Sequence, residues 1–266
     1  MLPIALTIAG SDSGGGAGIQ ADLKTFHTFR VYGASVVTAL TAQNTRGVAG
    51  THAVPPDFVR AQLDAVVEDL RPNALKTGML ATADIVAEVA TGLRKHGLTN
   101  YVLDPVMVAT SGDRLLEPEG EAAVAELLVP MSDLVTPNLQ EAAILTGILG
   151  ADEQSMRAMA EALVARGARA ALVKGGHMPG DLVVDVLCDG QEIRAWTRPR
   201  IPSRHTHGTG CTLSAAITAA LARGACLVDA VDAALEFVRR AIVSAPGLGG
   251  GHGPLDHFAE PPALDG

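Results

Sequence analysis

The residues best suited to chemistry are His207-Gly208-Thr209-Gly210-Cys211-Thr212, which open an Ala-rich stretch. The two glycines let the backbone turn so that successive N–H groups point one way. A helix beginning there adds N–H groups without intrahelical partners and a partial positive charge. Together these make an anion hole suited to a phosphoryl group in transfer. Cys211 stands at the helix start, where a thiolate is favoured. A plain Gly-rich turn holding a buried, inert cysteine accounts for the same residues. Asn138 and Glu141 follow Pro137 and, three apart on a helix, share a face. An amide and a carboxylate there suit Mg²⁺ waters and phosphate oxygens, and equally suit a helix cap. Lys174 heads Lys174-Gly175-Gly176-His177 in a chain whose other lysines are Lys24, Lys76 and Lys95. It reads as a phosphate contact or as a solvated turn lysine. Asp104, before Pro105, is a metal-linked carboxylate or a turn former.

Two common nucleotide signatures are missing. The chain has no GxxxxGK[ST], which disfavours a P-loop kinase, and Gly14-Gly15-Gly16-Ala17-Gly18 lacks the GxGxxG spacing of a NAD site.

These residues need a scaffold, and the pattern along the chain supplies one. Short apolar runs predict strands at 4–9, 31–40, 74–77, 101–103, 134–135 and 170–173. Helical patterns fall at 19–29, 57–70, 84–96, 155–166, 211–223 and 228–243, with a short helix after Asn138. A Gly-rich loop occupies 11–18 and a polar loop runs through Gln43-Asn44-Thr45. Asp189-Gly190 between 183–188 and 192–196 predicts a hairpin. Alternation over this length predicts a doubly wound α/β fold, a single domain over 1–266. The polar and glycine residues cluster after the strands' carboxyl ends, where open α/β sheets bind ligands.

Composition narrows the function. Of 266 residues, 48% are hydrophobic, 18% charged and 3% aromatic, so aliphatic side chains must fill the core. The net charge of −9, with no basic stripe interleaved with aromatics, argues against nucleic acid. No long uncharged apolar run suggests a membrane partner. Cys188, Cys211 and Cys226 form neither a disulfide framework nor a zinc pattern, and the first basic residue is Lys24, unlike a signal peptide. A cytoplasmic protein is the expectation.

From Leu6 to Phe258 the chain resembles the hydroxymethylpyrimidine/phosphomethylpyrimidine kinases of the ribokinase-like superfamily. The resemblance rests on Thr7-Ile8-Ala9-Gly10-Ser11-Asp12-Ser13, on the segments 15–25, 41–45 and 76–80, and on Leu103-Asp104-Pro105-Val106-Met107. It continues through 136–141, 174–177, 206–214 and 251–258. It implies a ribokinase-like fold, a central mostly parallel sheet with helices on both faces and the active site at the strands' carboxyl ends. The implied activity uses ATP to phosphorylate 4-amino-5-hydroxymethyl-2-methylpyrimidine to its monophosphate and then its diphosphate, with Mg²⁺, in thiamine biosynthesis. The resemblance implies that Gly10, Asp22, Gln43, Met79 and Val106 line the pyrimidine pocket. Gly208, Gly210 and Cys211 would form the anion hole, Cys211 standing where many ribokinase-like enzymes carry an aspartate base. Asn138, Lys174 and Thr209 would meet ATP phosphates, with Asp104 and Glu141 organising the metal through water. A homodimer is also implied. A pyridoxal-type kinase and a non-catalytic ligand sensor are the rival readings.

Overall fold

Successive strand residues enter two different apolar layers. Leu6, Ile8, Leu75, Leu103 and Val135 pack into one cluster, and Ala5, Ala74, Val102 and Leu134 into another. That period of two belongs to a sheet covered on both faces. The computed structural model describes residues 2–108, 114–176, 178 and 180–264. Its strands are β1 (Ile4–Asp12), β2 (Tyr32–Asn44), β3 (Gly47–Ala53), β4 (Ala74–Thr77), β5 (Tyr101–Leu103), β6 (Leu134–Val135), β7 (Ala171–Lys174), β8 (Leu182–Cys188) and β9 (Ile193–Pro199). They form one sheet in the order β3-β2-β1-β4-β5-β6-β7-β8-β9. The six strands from β2 to β7 in that order run parallel, while β3 at one edge and β8 near the other pair antiparallel with their neighbours. β9 pairs antiparallel with β8.

One face is covered by α1 (Gly18–Thr28), α7 (Thr209–Ala222) and α8 (Leu227–Val243). Its buried side chains are mostly small, Ala215, Ala216, Ala219 and Ala220 meeting Ala230 and Ala234. Phe29 and Phe237 fill the larger gap edge to face, ring centroids 5.1 Å apart. The other face carries α2 (Pro56–Leu70), α3 (Ala83–His96), α4 (Pro118–Ala123), α5 (Leu139–Thr146) and α6 (Glu153–Ala165).

The predicted α/β architecture is therefore present, with three local differences. The strand expected at 4–9 runs on to Asp12, because Ser11 and Asp12 pair with Leu40 and Thr41 after a register slip past Gly10. The loop expected at Gln43-Asn44-Thr45 is instead the end of β2 and a tight turn into β3. β3 is half-exposed or exposed along its whole length, so no buried face marked it in the sequence. α4, in a stretch left without structure by its pattern, starts at Pro118 and continues as one π turn over Val124–Leu128.

Candidate active site

The ends of β1, β4, β5, β6 and β7 meet the start of α7, as the α/β rule anticipates. α7 begins after Gly208, whose φ of 82° is left-handed, and no side chain caps it. An added Cβ at Gly208 would lie 1.9 Å from the Gly16 carbonyl oxygen, so glycine is required for space as well as for conformation. The Thr209 N–H donates to Thr206 O and the Thr212 N–H to Gly208 O. Between them the N–H groups of Gly210 and Cys211 belong to the first helical turn, which has no carbonyls of its own to pair them.

A Cβ on Gly210 would stand 3.4 Å from Lys174 Nζ and 3.8 Å from Asp104 Oδ2. The turn thus faces a buried ion pair, Lys174 Nζ to Asp104 Oδ1, 3.2 Å long. Ser214 Oγ donates to the other oxygen of Asp104 at 3.0 Å. Burial would raise the Asp104 carboxyl, but the Lys174 and Lys76 ammonium groups and the Ser214 hydroxyl outweigh it and hold it below the ordinary range. Burial would likewise lower Lys174, and Asp104 and Glu141 keep its ammonium raised.

Asn138 and Glu141 form the cap that their spacing allowed. Asn138 Oδ1 accepts from the Glu141 N–H at 3.0 Å and Glu141 Oε2 accepts from the Asn138 N–H at 2.8 Å. The cap is seated beside Lys174, whose N–H donates to Pro137 O at 2.8 Å. Burial pushes the Glu141 carboxyl up to about 7 against the pull of Lys174. The cap therefore lies in the same charged cluster as Lys174 and Asp104.

Among the residues expected to line a pyrimidine pocket, Gly10 and Met79 are neighbours: a Cβ on Gly10 would lie 3.1 Å from Met79 Sδ. Gln43 is half-buried, its Oε1 accepting from Thr41 Oγ1 at 3.0 Å and its Nε2 lying 3.5 Å from His207 Nε2. Val106, also half-buried, follows β5 directly after Asp104 and Pro105. Asp22 is placed differently. It has no exposure, one oxygen accepts from Thr7 Oγ1 at 2.6 Å and the other from Lys76 Nζ at 2.8 Å. As positioned, it faces Lys76 rather than open space.

One electrostatic expectation is corrected. Burial pushes the Cys211 thiol up to about 12, more than the Lys76 ammonium and a hydrogen bond from the Gly18 N–H bring it down. Desolvation outweighs the helix start, so the resting group is a thiol. Sequence reasoning gave no role to Lys76, Ser214 or Thr7. The available signal was Lys76 itself, a lysine inside the apolar strand Ala74-Leu75-Lys76-Thr77. His177, grouped with Lys174 by its motif, lies outside the described residues.

Comparison with known proteins decides the family: residues 12–256 match the phosphomethylpyrimidine kinase family. The chain belongs to that family. A hydroxymethylpyrimidine/phosphomethylpyrimidine kinase of Rhizobium meliloti (strain 1021) is 53% identical, over 97% of this chain and 98% of the relative. Among solved structures, an ADP complex of Bacillus subtilis pyridoxal kinase superposes with a TM-score of 0.91 at 40% identity, covering 97% of this chain and 98% of that one. A phosphomethylpyrimidine kinase of Clostridium difficile 630 gives 0.82 at 40% identity, covering 91% and 100%. A phosphomethylpyrimidine kinase of this build uses ATP.

Proposed function

We propose that this chain transfers the γ-phosphoryl group of ATP to the hydroxymethyl oxygen of 4-amino-5-hydroxymethyl-2-methylpyrimidine, and then transfers a second one to the resulting monophosphate, in thiamine biosynthesis. The observation that carries the reading is the uncapped α7 start lying against the Lys174–Asp104 pair. In each transfer an acceptor oxygen bonds to the γ-phosphorus, the bond to the bridging oxygen breaks and ADP leaves. Charge spreads over the transferring group, and preorganised donors stabilise it. The N–H groups of Gly210 and Cys211, with Gly208 shaping the turn, supply those donors, and Lys174 adds a point charge. Thr209 and Asn138 border the phosphates.

Gly10, Met79 and Val106 offer an apolar lining for a flat ring, and Gln43 an amide for its nitrogen atoms or amine. Asp22 contributes by holding Lys76. Cys211 is the side chain placed to take the alcohol's proton, which requires its thiolate to form when substrates bind. Asp104 and Glu141 suit Mg²⁺: two carboxylates in one cluster, with phosphate and water as remaining ligands, are the usual set. The described residues contain no group of three His, Cys, Asp or Glu that would form an all-protein cage. When bound, the ion neutralises phosphate charge.

A homodimer accords with the exposed edge strand β3 and the exposed Leu40 and Phe58 near it, and light scattering tests it. Three free cysteines accord with a reducing cytoplasm. A second reading, a pyridoxal-type kinase, is favoured by the 0.91 superposition on the Bacillus subtilis pyridoxal kinase. Mass spectrometry of products from ATP, Mg²⁺ and each alcohol in turn separates the readings. The pyrimidine should gain two phosphates, and no phosphorylated pyrimidine would overturn the proposal.

A further inference from the structure

Asp12 ends β1 and is buried between two glycine-rich loops. Its Oδ1 accepts from the Gly14 N–H at 2.8 Å. Its Oδ2 accepts from the N–H groups of Gly16 at 3.0 Å and Ala17 at 2.9 Å, and lies 2.9 Å from His207 Nε2. Two of these partners have special places. Ala17 is the residue before α1, His207 the residue before Gly208 at the α7 start, and neither helix has a side-chain cap of its own.

The loops interlock as well. A Cβ on Gly16 would come within 2.5 Å of the His207 ring, and one on Gly208 within 1.9 Å of Gly16 O. Past this lock, the N–H of Gly18 in the first turn of α1 is directed at Cys211 in the first turn of α7. Two helix starts therefore bear on one point, and one carboxylate fastens both. Toward the pyrimidine side, Gln43 Nε2 sits 3.5 Å from the same His207 nitrogen.

We propose that Asp12 is a positioning residue for phosphoryl transfer: by holding Ala17 and His207 together it fixes the starts of α1 and α7 against each other, and so sets the 208–211 donors relative to the acceptor oxygen. The inference rests on the placement of the transfer at that turn. Misplacing such groups by ~1 Å costs ~10²-fold in rate even when the change lies away from the chemistry. Both Asp12 oxygens are taken up by Gly14, Gly16, Ala17 and His207. A mere staple would lower stability and leave the turnover of folded molecules intact, whereas a positioning residue lowers kcat.

The test is Asp12→Asn, His207→Ala and the double variant, each melted by circular dichroism and assayed with alcohol and with monophosphate. Asp12→Asn should lower kcat by ~10–100-fold for both acceptors, with KM values for ATP and acceptor moving less than about 3-fold. The double variant should lose no more than the worse single one, because the two side chains act as a unit. His207→Ala leaves the three N–H bonds of Asp12 in place and carries the same prediction if Asp12→Asn does not fold. A kcat within about 3-fold of the parent in a folded variant, or additive losses in the double, overturns the proposal. Lys174→Ala, which removes the point charge beside that turn, run alongside separates the two levels. If it loses activity while Asp12→Asn does not, only this inference fails. If it keeps full activity, the turn is not the site and both fail.

Discussion

Lys76 Nζ lies 2.8 Å from Asp22 Oδ1, and neither side chain has any solvent exposure. Burial opposes the ammonium, yet Asp22, with Cys211 and Asp104 adding to it, holds Lys76 above its ordinary range. Thr7 Oγ1 satisfies the second Asp22 oxygen at 2.6 Å. The pair joins α1 to β4, and replacing such a buried pair by apolar side chains of similar volume is often neutral or stabilising.

Lys76→Met should destabilise the protein by ~3–5 kcal/mol, because it leaves a buried carboxylate without its partner. The double change Lys76→Met with Asp22→Asn should recover part of that loss while activity stays low. Urea denaturation of the set checks this. A single variant within ~1 kcal/mol of the parent would mean that the pair is not the electrostatic unit described.

Much of this arrangement was legible beforehand because it follows local rules. Gly208 and Gly210 before an Ala-rich run could only be a turn into a helix, and Asn138 with Glu141 could only cap or chelate. Short apolar runs at 4–9 and 74–77 with few aromatics predicted a buried parallel sheet, and the structure sends Ala5 and Leu6, and Ala74 and Leu75, to its two covered faces. What stayed hidden depends on distant pairing. β3 has no buried face to announce it. Lys76 meets Asp22 across 54 positions and His207 meets Asp12 across 195. For Cys211 the sequence left a thiolate at a helix start and an inert thiol both open, because a helix start is visible in sequence and desolvation is not.

Gln43→Ala should weaken binding of the pyrimidine more than binding of ATP. Its amide stands at the end of β2 near His207, whereas Lys174 and Asp104, proposed to serve ATP, lie on β7 and after β5. Loss of a buried hydrogen-bond partner typically costs ~1–3 kcal/mol. Separate calorimetric titrations of the two ligands check it, and an equal loss for ATP would remove Gln43 from the pyrimidine pocket.

Glu141→Gln tests cap against metal through pH. The carboxyl titrates at about 7 in the folded protein against an ordinary 4.5. The folded state therefore holds a proton that the unfolded chain releases between those values. Stability from this group is complete below about 4.5 and declines by at most ~3 kcal/mol as pH rises to about 7. Glutamine keeps the cap and removes the titration, so the metal-free variant should lose that decline and be the more stable form at pH 8. Its turnover should fall and its Mg²⁺ requirement rise. Unchanged magnesium dependence would leave Glu141 with the cap alone.

Cys211→Ala separates the two transfers that the chain is proposed to perform. The alcohol is a very weak acid and benefits from a base as its oxygen attacks. The monophosphate has a second pKa of about 6 and arrives largely ionised at neutral pH. Both steps use the same backbone donors, and those survive a side-chain change. The resting thiol, pushed up to about 12, holds its proton at neutral pH, so a base role demands that substrate binding bring the sulfur to its thiolate. If it does, Cys211→Ala should slow the alcohol step by ~10²–10⁴-fold and the monophosphate step far less. If Cys211 only packs beside the acceptor, both steps should fall together through KM. Single-turnover measurement of each acceptor with purified enzyme isolates the chemical step from product release. Equal losses in the two chemical steps would remove Cys211 as the base and leave the N–H groups of Gly210 and Cys211, with Lys174, as the groups that drive transfer.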